Sequence, residues 1–210
     1  MKHLTWFLFL SAINLLPLGA QSVLLTPRAG LNLSTITGAE ATMKTGLNFG
    51  IGGEYLPSPN ARLAFASGLF YSMQGCDLKE SAVNPEHNYL SLPVLLKYYV
   101  QPGKEGNHQG LSLYGGPQFD LKAVGNKVSY ATEYSGVLLS DDMSKTFGMS
   151  AVIGVEYLFE VGLVLAANVN IGLTNKAKDG FLNYGTLLTS QNTYKDLVIQ
   201  LSFGYRFAIL

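Results

Sequence analysis

Five charged side chains, Arg28, Glu54, Lys97, Glu156 and Arg206, each fall on the polar side of a stretch that alternates apolar and polar residues. Each also falls near the same end of its stretch. Gathered in one place, they could form a charged constriction or a gate for ions. The same five could instead be a salt-bridge network that fills a narrow interior and sets strand register. Charges that point into a confined space must pair or meet water. A barrel of eight strands leaves room for little more than side chains. The network is therefore the favoured reading.

Other candidate groups are weaker. His87 stands near Asp77, Glu80 and Glu86, and Asp141 and Asp142 form a second acidic pair. A hydrolytic site would need such carboxylates to converge on a histidine. No Ser-His-Asp or metal-ligand spacing fixes that geometry, and charged loop tips are usually just solvated. No catalytic, cofactor-binding or metal-binding residue is assigned, no cofactor is expected, and the chain is read as a non-enzyme. His108 falls in a short turn, and His3 in a leader. Cys76 is the single cysteine, so no internal disulfide can form. Gly50, Gly52 and Gly53 come close to a nucleotide fingerprint but sit inside strand alternation with no helix after them. Inward glycines such as Gly50, Gly116, Gly154 and Gly204 more plausibly relieve crowding.

The elements that would position these residues are strands. Charged residues are 13% of the 210, against roughly 25% for a soluble domain. Net charge is zero, which leaves no electrostatic footprint for nucleic acid. Residues 1–20 read as a signal peptide. Lys2 and His3 precede a mostly apolar run, and Leu18-Gly19-Ala20 offers a small-residue cleavage site. The mature domain is expected over residues 21–210. No later apolar run is long enough for a helix across lipid, so a membrane crossing would have to use strands.

Period two recurs in eight segments. In the first, Leu25, Ala29, Leu31 and Leu33 oppose Thr26, Arg28, Gly30, Asn32 and Ser34. In the second, Leu47, Phe49, Ile51 and Tyr55 oppose Asn48, Gly50, Gly52 and Glu54. The third sets Leu63, Phe65, Leu69, Tyr71 and Met73 against Ala64, Ala66, Gly68, Phe70, Ser72 and Gln74. Similar alternation recurs around Leu90–Tyr98, Leu111–Leu121, Phe147–Tyr157, Leu163–Thr174 and Leu197–Phe207. Pro93 lies inside the fourth segment, where a bulge is expected to accommodate it. Segments of about 10 residues suit tilted strands that cross a bilayer.

Connections between the segments alternate long and short, as they do when long loops face outside and short turns face the periplasm. Lipid-side aromatics sort to both ends, with Tyr55, Phe65, Tyr98, Tyr157, Tyr205 and Phe207 at the periplasmic end. Phe49, Tyr71, Phe119 and Phe147 mark the other. Two girdles are expected where rings meet headgroups. The fold class expected is all-β, an eight-stranded antiparallel up-and-down transmembrane barrel in the cell outer membrane, with periplasmic termini.

The stretch Gly68-Leu69-Phe70-Tyr71-Ser72-Met73-Gln74-Gly75 resembles the third-strand motif of the PorT-like outer-membrane barrels of Bacteroidetes. Tyr89-Leu90-Ser91-Leu92-Pro93-Val94-Leu95-Leu96-Lys97-Tyr98 is similar to that family's next strand, proline included. Asn170 to Asn175, Gly204 to Phe207, and Arg28 to Ser34 also fit, so the likeness spans the mature chain. It implies the same eight-stranded barrel, and its namesake's association with protein secretion makes an accessory role there one alternative.

Expected partners are outer-membrane lipids and, during insertion, the barrel-assembly machinery. The expected role is structural, or binding through the loops Ala123 to Lys145 and Asn175 to Lys195, and not that of an open porin. A secreted soluble barrel that holds an apolar ligand is the rival. There the apolar faces would point inward.

Overall fold

The computed structural model describes residues 22–37, 41–58, 60–78, 83–101, 108–123, 128–130, 145–175 and 195–208. The leader, Glu80, Asp141 and Asp142 lie outside them, as do the side chains of Cys76, Asp77, Glu86 and His87. Most of the two long loops also lies outside.

The strands are β1 (Ser22–Thr37), β2 (Ala41–Leu56), β3 (Leu63–Leu78), β4 (Val83–Tyr99), β5 (Gly110–Lys122), β6 (Val128–Tyr130), β7 (Phe147–Leu158), β8 (Leu163–Gly172), β9 (Lys195–Tyr205) and β10 (Phe207–Ala208). All pairings are antiparallel between neighbours, and β1 pairs with both β2 and β9, which closes an eight-stranded barrel. The short β10 continues the β9 register on β1 after a break at Arg206. The β6 segment pairs with the outer end of β4. Closure leaves no row of unpaired amides, the condition for placing a sheet in hydrocarbon.

Sidedness follows the alternation. Leu31, Leu47, Leu69, Ile153 and Leu201 lie exposed on the outside, and Asn32, Asn48, Ser72, Ser91 and Asn170 are buried inside. The rival barrel with an apolar interior is thereby excluded.

A walk along paired residues fixes the geometry. Val23, Tyr55, Phe65, Leu96, Gly115, Ile153, Val169 and Ile199 are successive partners, and Ile199 returns to β1 at Leu33. The circuit thus advances by the ten residues between Val23 and Leu33. With a rise of about 3.3 Å per residue and strands about 4.8 Å apart, that stagger tilts the strands by about 40°. Each residue then climbs about 2.5 Å along the barrel axis, and each step to the next strand climbs about 3 Å. On that scale Tyr55, Tyr98, Tyr157 and Tyr205 form a level ring. Lys44, Lys122 and Lys195 form another about 25 Å above it, the height of an apolar band. The outer aromatics do not form a level girdle, because Phe49, Tyr71, Phe119 and Phe147 spread over about 12 Å of height.

Two expectations need correction. The first and second outer connections are not long: only residues 38–40 separate β1 from β2, and 79–82 separate β3 from β4. The four strands run on past the lysine ring instead. No bulge forms at Pro93 either, since β4 keeps one register with β3 and with β5. The β3–β4 ladder lapses opposite Pro93, which has no N–H to give, and the Ser67 hydroxyl donates to the Pro93 carbonyl at 2.8 Å. A register shift does occur in β2, between Met43 and Asn48.

Ile153, 66% exposed at mid-height on β7, tests the sidedness. Ile153→Arg should destabilise the barrel by about 2–4 kcal/mol in bilayers, against about 0–1 kcal/mol for Thr45→Arg at the rim. Equilibrium unfolding in liposomes measures both.

Candidate functional site

The five charged residues do converge, from β1, β2, β4, β7 and the break after β9. Arg28 Nη2 lies 2.5 Å from Glu156 Oε2 and 3.6 Å from Glu54 Oε1. Lys97 Nζ lies 2.8 Å from Glu54 Oε1 and also donates to Glu156 Oε1. Arg206 Nη2 bridges the two carboxylates at 2.8 and 2.7 Å. Glu54, Lys97 and Glu156 are each 3% exposed or less. Arg28 and Glu54 sit on neighbouring strands. The tighter partner of Arg28 is Glu156, across the lumen.

Three cations against two carboxylates leave this knot with one excess positive charge. Desolvation makes such a cluster costly unless every charge is met. Two further groups complete it, and both were overlooked as site residues in the sequence. Tyr99 donates to Glu54 Oε2 at 2.5 Å and accepts from Arg206 Nη1 at 3.4 Å. His108 is buried, packs against Tyr99 with the rings tilted and their centroids 4.5 Å apart, and places Nε2 2.9 Å from the Ala61 carbonyl. With Leu24, Leu56 and Ala64 packed around Tyr99, the short-turn end of the barrel is capped. Tyr99 could have been found by parity, because it follows Lys97 by two. The burial of His108 carries no such signal.

Above the knot lies a belt of uncharged polar side chains around Asp120. Asn32 Nδ2 donates to Ser72 Oγ at 2.9 Å, and Asn32 Oδ1 accepts from Asn48 and Gln200 at 2.6 and 3.0 Å. Asn168 donates to Gln200 at 2.8 Å and to Asn170 at 2.6 Å. Asn170 in turn donates to Gln118 at 3.4 Å. Gln118, Ser91 and Ser150 donate to Asp120 at 2.8, 2.6 and 3.3 Å. These residues come from all eight barrel strands. The lumen glycines make way for the larger groups inside. A Cβ on Gly50 or Gly68 would meet the Phe70 ring at 2.7 or 2.6 Å, and one on Gly154 would meet Tyr114 at 2.5 Å.

Between knot and belt a cavity of about 70 Å³ remains, lined by Arg28, Ser72, Tyr114, Gln118 and Gln200 among others. It has room for a few water molecules. Among the described residues no group of three His, Cys, Asp or Glu is placed to hold a metal ion. Through these ion pairs and hydrogen bonds, knot and belt tie facing strands to one another across the lumen.

The sequence matches the family model described as outer membrane protein beta-barrel domain over residues 19–177. The chain belongs to that family. Its location is the outer membrane, so the apolar band faces lipid and the short-turn end is the periplasmic one. No curated protein matches significantly. Among solved structures this barrel is similar to Neisserial surface protein A, at 15% identity and TM-score 0.47, over 90% of this chain and 99% of that one. It is also similar to Ail, the attachment invasion locus protein of Yersinia pestis, at 13% identity and TM-score 0.44 over 90% and 99%. The outer membrane enzyme PagL gives 12% identity and TM-score 0.43 over 86% and 98%.

Removing charge from the knot should have unequal consequences by sign. Glu156→Gln raises the buried excess from one positive charge to two, and should cost about 3–5 kcal/mol. Lys97→Met leaves two arginines facing two carboxylates and should cost clearly less. Urea titrations of the two variants, read by tryptophan-independent gel shift of the folded barrel, give the order.

Proposed function

We propose that this protein is a closed, non-enzymatic outer-membrane barrel whose task is structural or lies in surface binding through the segments 123–145 and 175–195. The observation that carries this reading is the filled lumen. Among the described residues, the salt-bridged knot, its Tyr99–His108 cap and the belt around Asp120 fill the lumen around a cavity of about 70 Å³. A continuous aqueous path needs far more space than that.

Within the family, the motifs from Gly68 to Gly75 and from Tyr89 to Tyr98 support a PorT-like subgroup of Bacteroidetes. The proposed contacts of the barrel are outer-membrane lipids and, during insertion, the barrel-assembly machinery. An accessory role in secretion is the second reading. It rests on that likeness alone, and a deletion strain that still exports its usual cargo would remove it.

Planar bilayer recording tests the central point. Purified protein should give no stable conductance, whereas steady openings of porin size would overturn the reading. Pull-down of the intact detergent-solubilised protein from native membranes then separates the two roles. Recovery of a surface partner that is lost when 175–195 is replaced by a short Gly-Ser linker supports binding. Isolation as a lone barrel supports structure.

A further inference from the structure

The cavity of about 70 Å³ above the knot has one charged wall. Of the five charged residues in the knot, Arg28 is the one that lines it. Its side chain keeps 14% of its surface open, against 6% or less for Glu54, Lys97, Glu156 and Arg206. Both ion pairs of Arg28 run through Nη2, and Nε is buried without a hydrogen-bond partner. A guanidinium carries five N–H donors in a planar fork. The ion pairs therefore leave part of this fork unmatched where the cavity begins.

Ser202 and Tyr114 reach the same end of the cavity. Ser202 stands on β9, two residues before Gly204, which pairs with Arg28. Tyr114 stands on β5, across the lumen from β1, and its hydroxyl donates to Asn168 Oδ1 at 3.2 Å. At about 2.5 Å of height per residue, the three fall within about 5 Å of one another along the barrel axis. Phe70, Pro93, Leu95 and Val152 supply apolar walls.

The charge balance points the same way. Three cations and two carboxylates leave the knot one positive charge over. Among the described residues, the next carboxylate up the lumen is that of Asp120. It stands about 12 Å higher on the same scale, and it already accepts from Ser91, Ser150 and Gln118. An unbalanced charge in so confined a space is costly unless something meets it. A divalent oxyanion would overcompensate a single charge. A halide matches it, and is little larger than the water molecules for which the cavity has room.

We propose that this cavity holds one small monovalent anion, chloride in ordinary salt, between the Arg28 guanidinium and the Ser202 hydroxyl. The anion neutralises the knot and completes the Arg28 fork, and water fills the space left toward the belt.

The full-length barrel in detergent tests the site. Crystals soaked in sodium bromide should show an anomalous peak in the cavity, within hydrogen-bond reach of Arg28. Water density there without a bromide peak would overturn the proposal. In solution, replacing sodium gluconate by sodium chloride at constant ionic strength should raise the urea midpoint of unfolding and then saturate. Gluconate is too large for the cavity, and an ion bound only to the folded state stabilises it. Arg28→Gln, which keeps two cations facing two carboxylates, should remove the rise. Lys97→Met leaves Arg28 in place but cancels the unbalanced charge, and should weaken chloride affinity by about fivefold or more. Glu156→Gln doubles that charge and should strengthen it by about as much. Should Arg28→Gln lack the heat-modifiable gel mobility of a folded barrel, Ser202→Leu, which fills the cavity from β9, should abolish the rise in its place. A chloride effect of equal size in the parent, Arg28→Gln and Ser202→Leu proteins would be a general salt effect and would overturn the site.

Discussion

Every peptide group that this chain carries into hydrocarbon must find its hydrogen bond inside the chain, because acyl chains offer none. The closed ladder from β1 round to β9 answers that demand over most of the wall. Its lapses show how strict the demand is. Where the β3–β4 ladder lapses at Pro93, the Ser67 hydroxyl reaches across to the Pro93 carbonyl. Where β2 and β3 slip, Asn32 and Ser34 bond the backbone of β3 from two strands away. Where Arg206 leaves the β1 ladder, its own N–H donates to the Gly162 carbonyl of the neighbouring turn at 2.9 Å. Side chains thus complete what the main chain cannot.

The same closure dictates the interior. Eight strands staggered by ten residues make a narrow tube whose inner faces are polar, which leaves the apolar faces for lipid. Polar groups in such a space stabilise the fold only when nearly all are paired, since low dielectric strengthens both a made bond and an unmade one. The Nε atoms of Arg28 and Arg206 and the hydroxyl of Thr26 are the buried atoms without a hydrogen-bond partner in this region. They lie in and beside the knot, which also holds the excess positive charge.

Period-two alternation made the strands and their faces legible, because the choice between lipid and lumen is made residue by residue. Parity alone put Arg28, Glu54, Lys97, Glu156 and Arg206 inside. It did not say who pairs with whom. Arg28 meets Glu156 from the far wall because tilt and diameter bring them together, and both are properties of the closed circuit. Strand ends were misread for a related reason. Outside the membrane the lipid constraint lapses, so Ala41–Met43 and Cys76–Leu78 pair without the alternation that marked the rest. The bulge was expected at the residue with a missing donor. It formed instead around Gly46, where a Cβ would stand 2.2 Å from the Met73 carbonyl and only glycine lets the two backbones close.

The unequal strand lengths give the outward-facing rim a shape. β1 to β4 are 16 or 17 residues long, whereas β5, β7, β8 and β9 have 10 to 13. One flank therefore rises like a parapet, reinforced by β6, and the opposite flank ends near the bilayer surface. Both extended segments, rooted at Ala123 and Lys145 and at Asn175 and Lys195, spring from the lower flank. Seen from the medium, the barrel therefore presents a tall strand wall on one side and a low rim on the other, so its two sides are not equally open to approach.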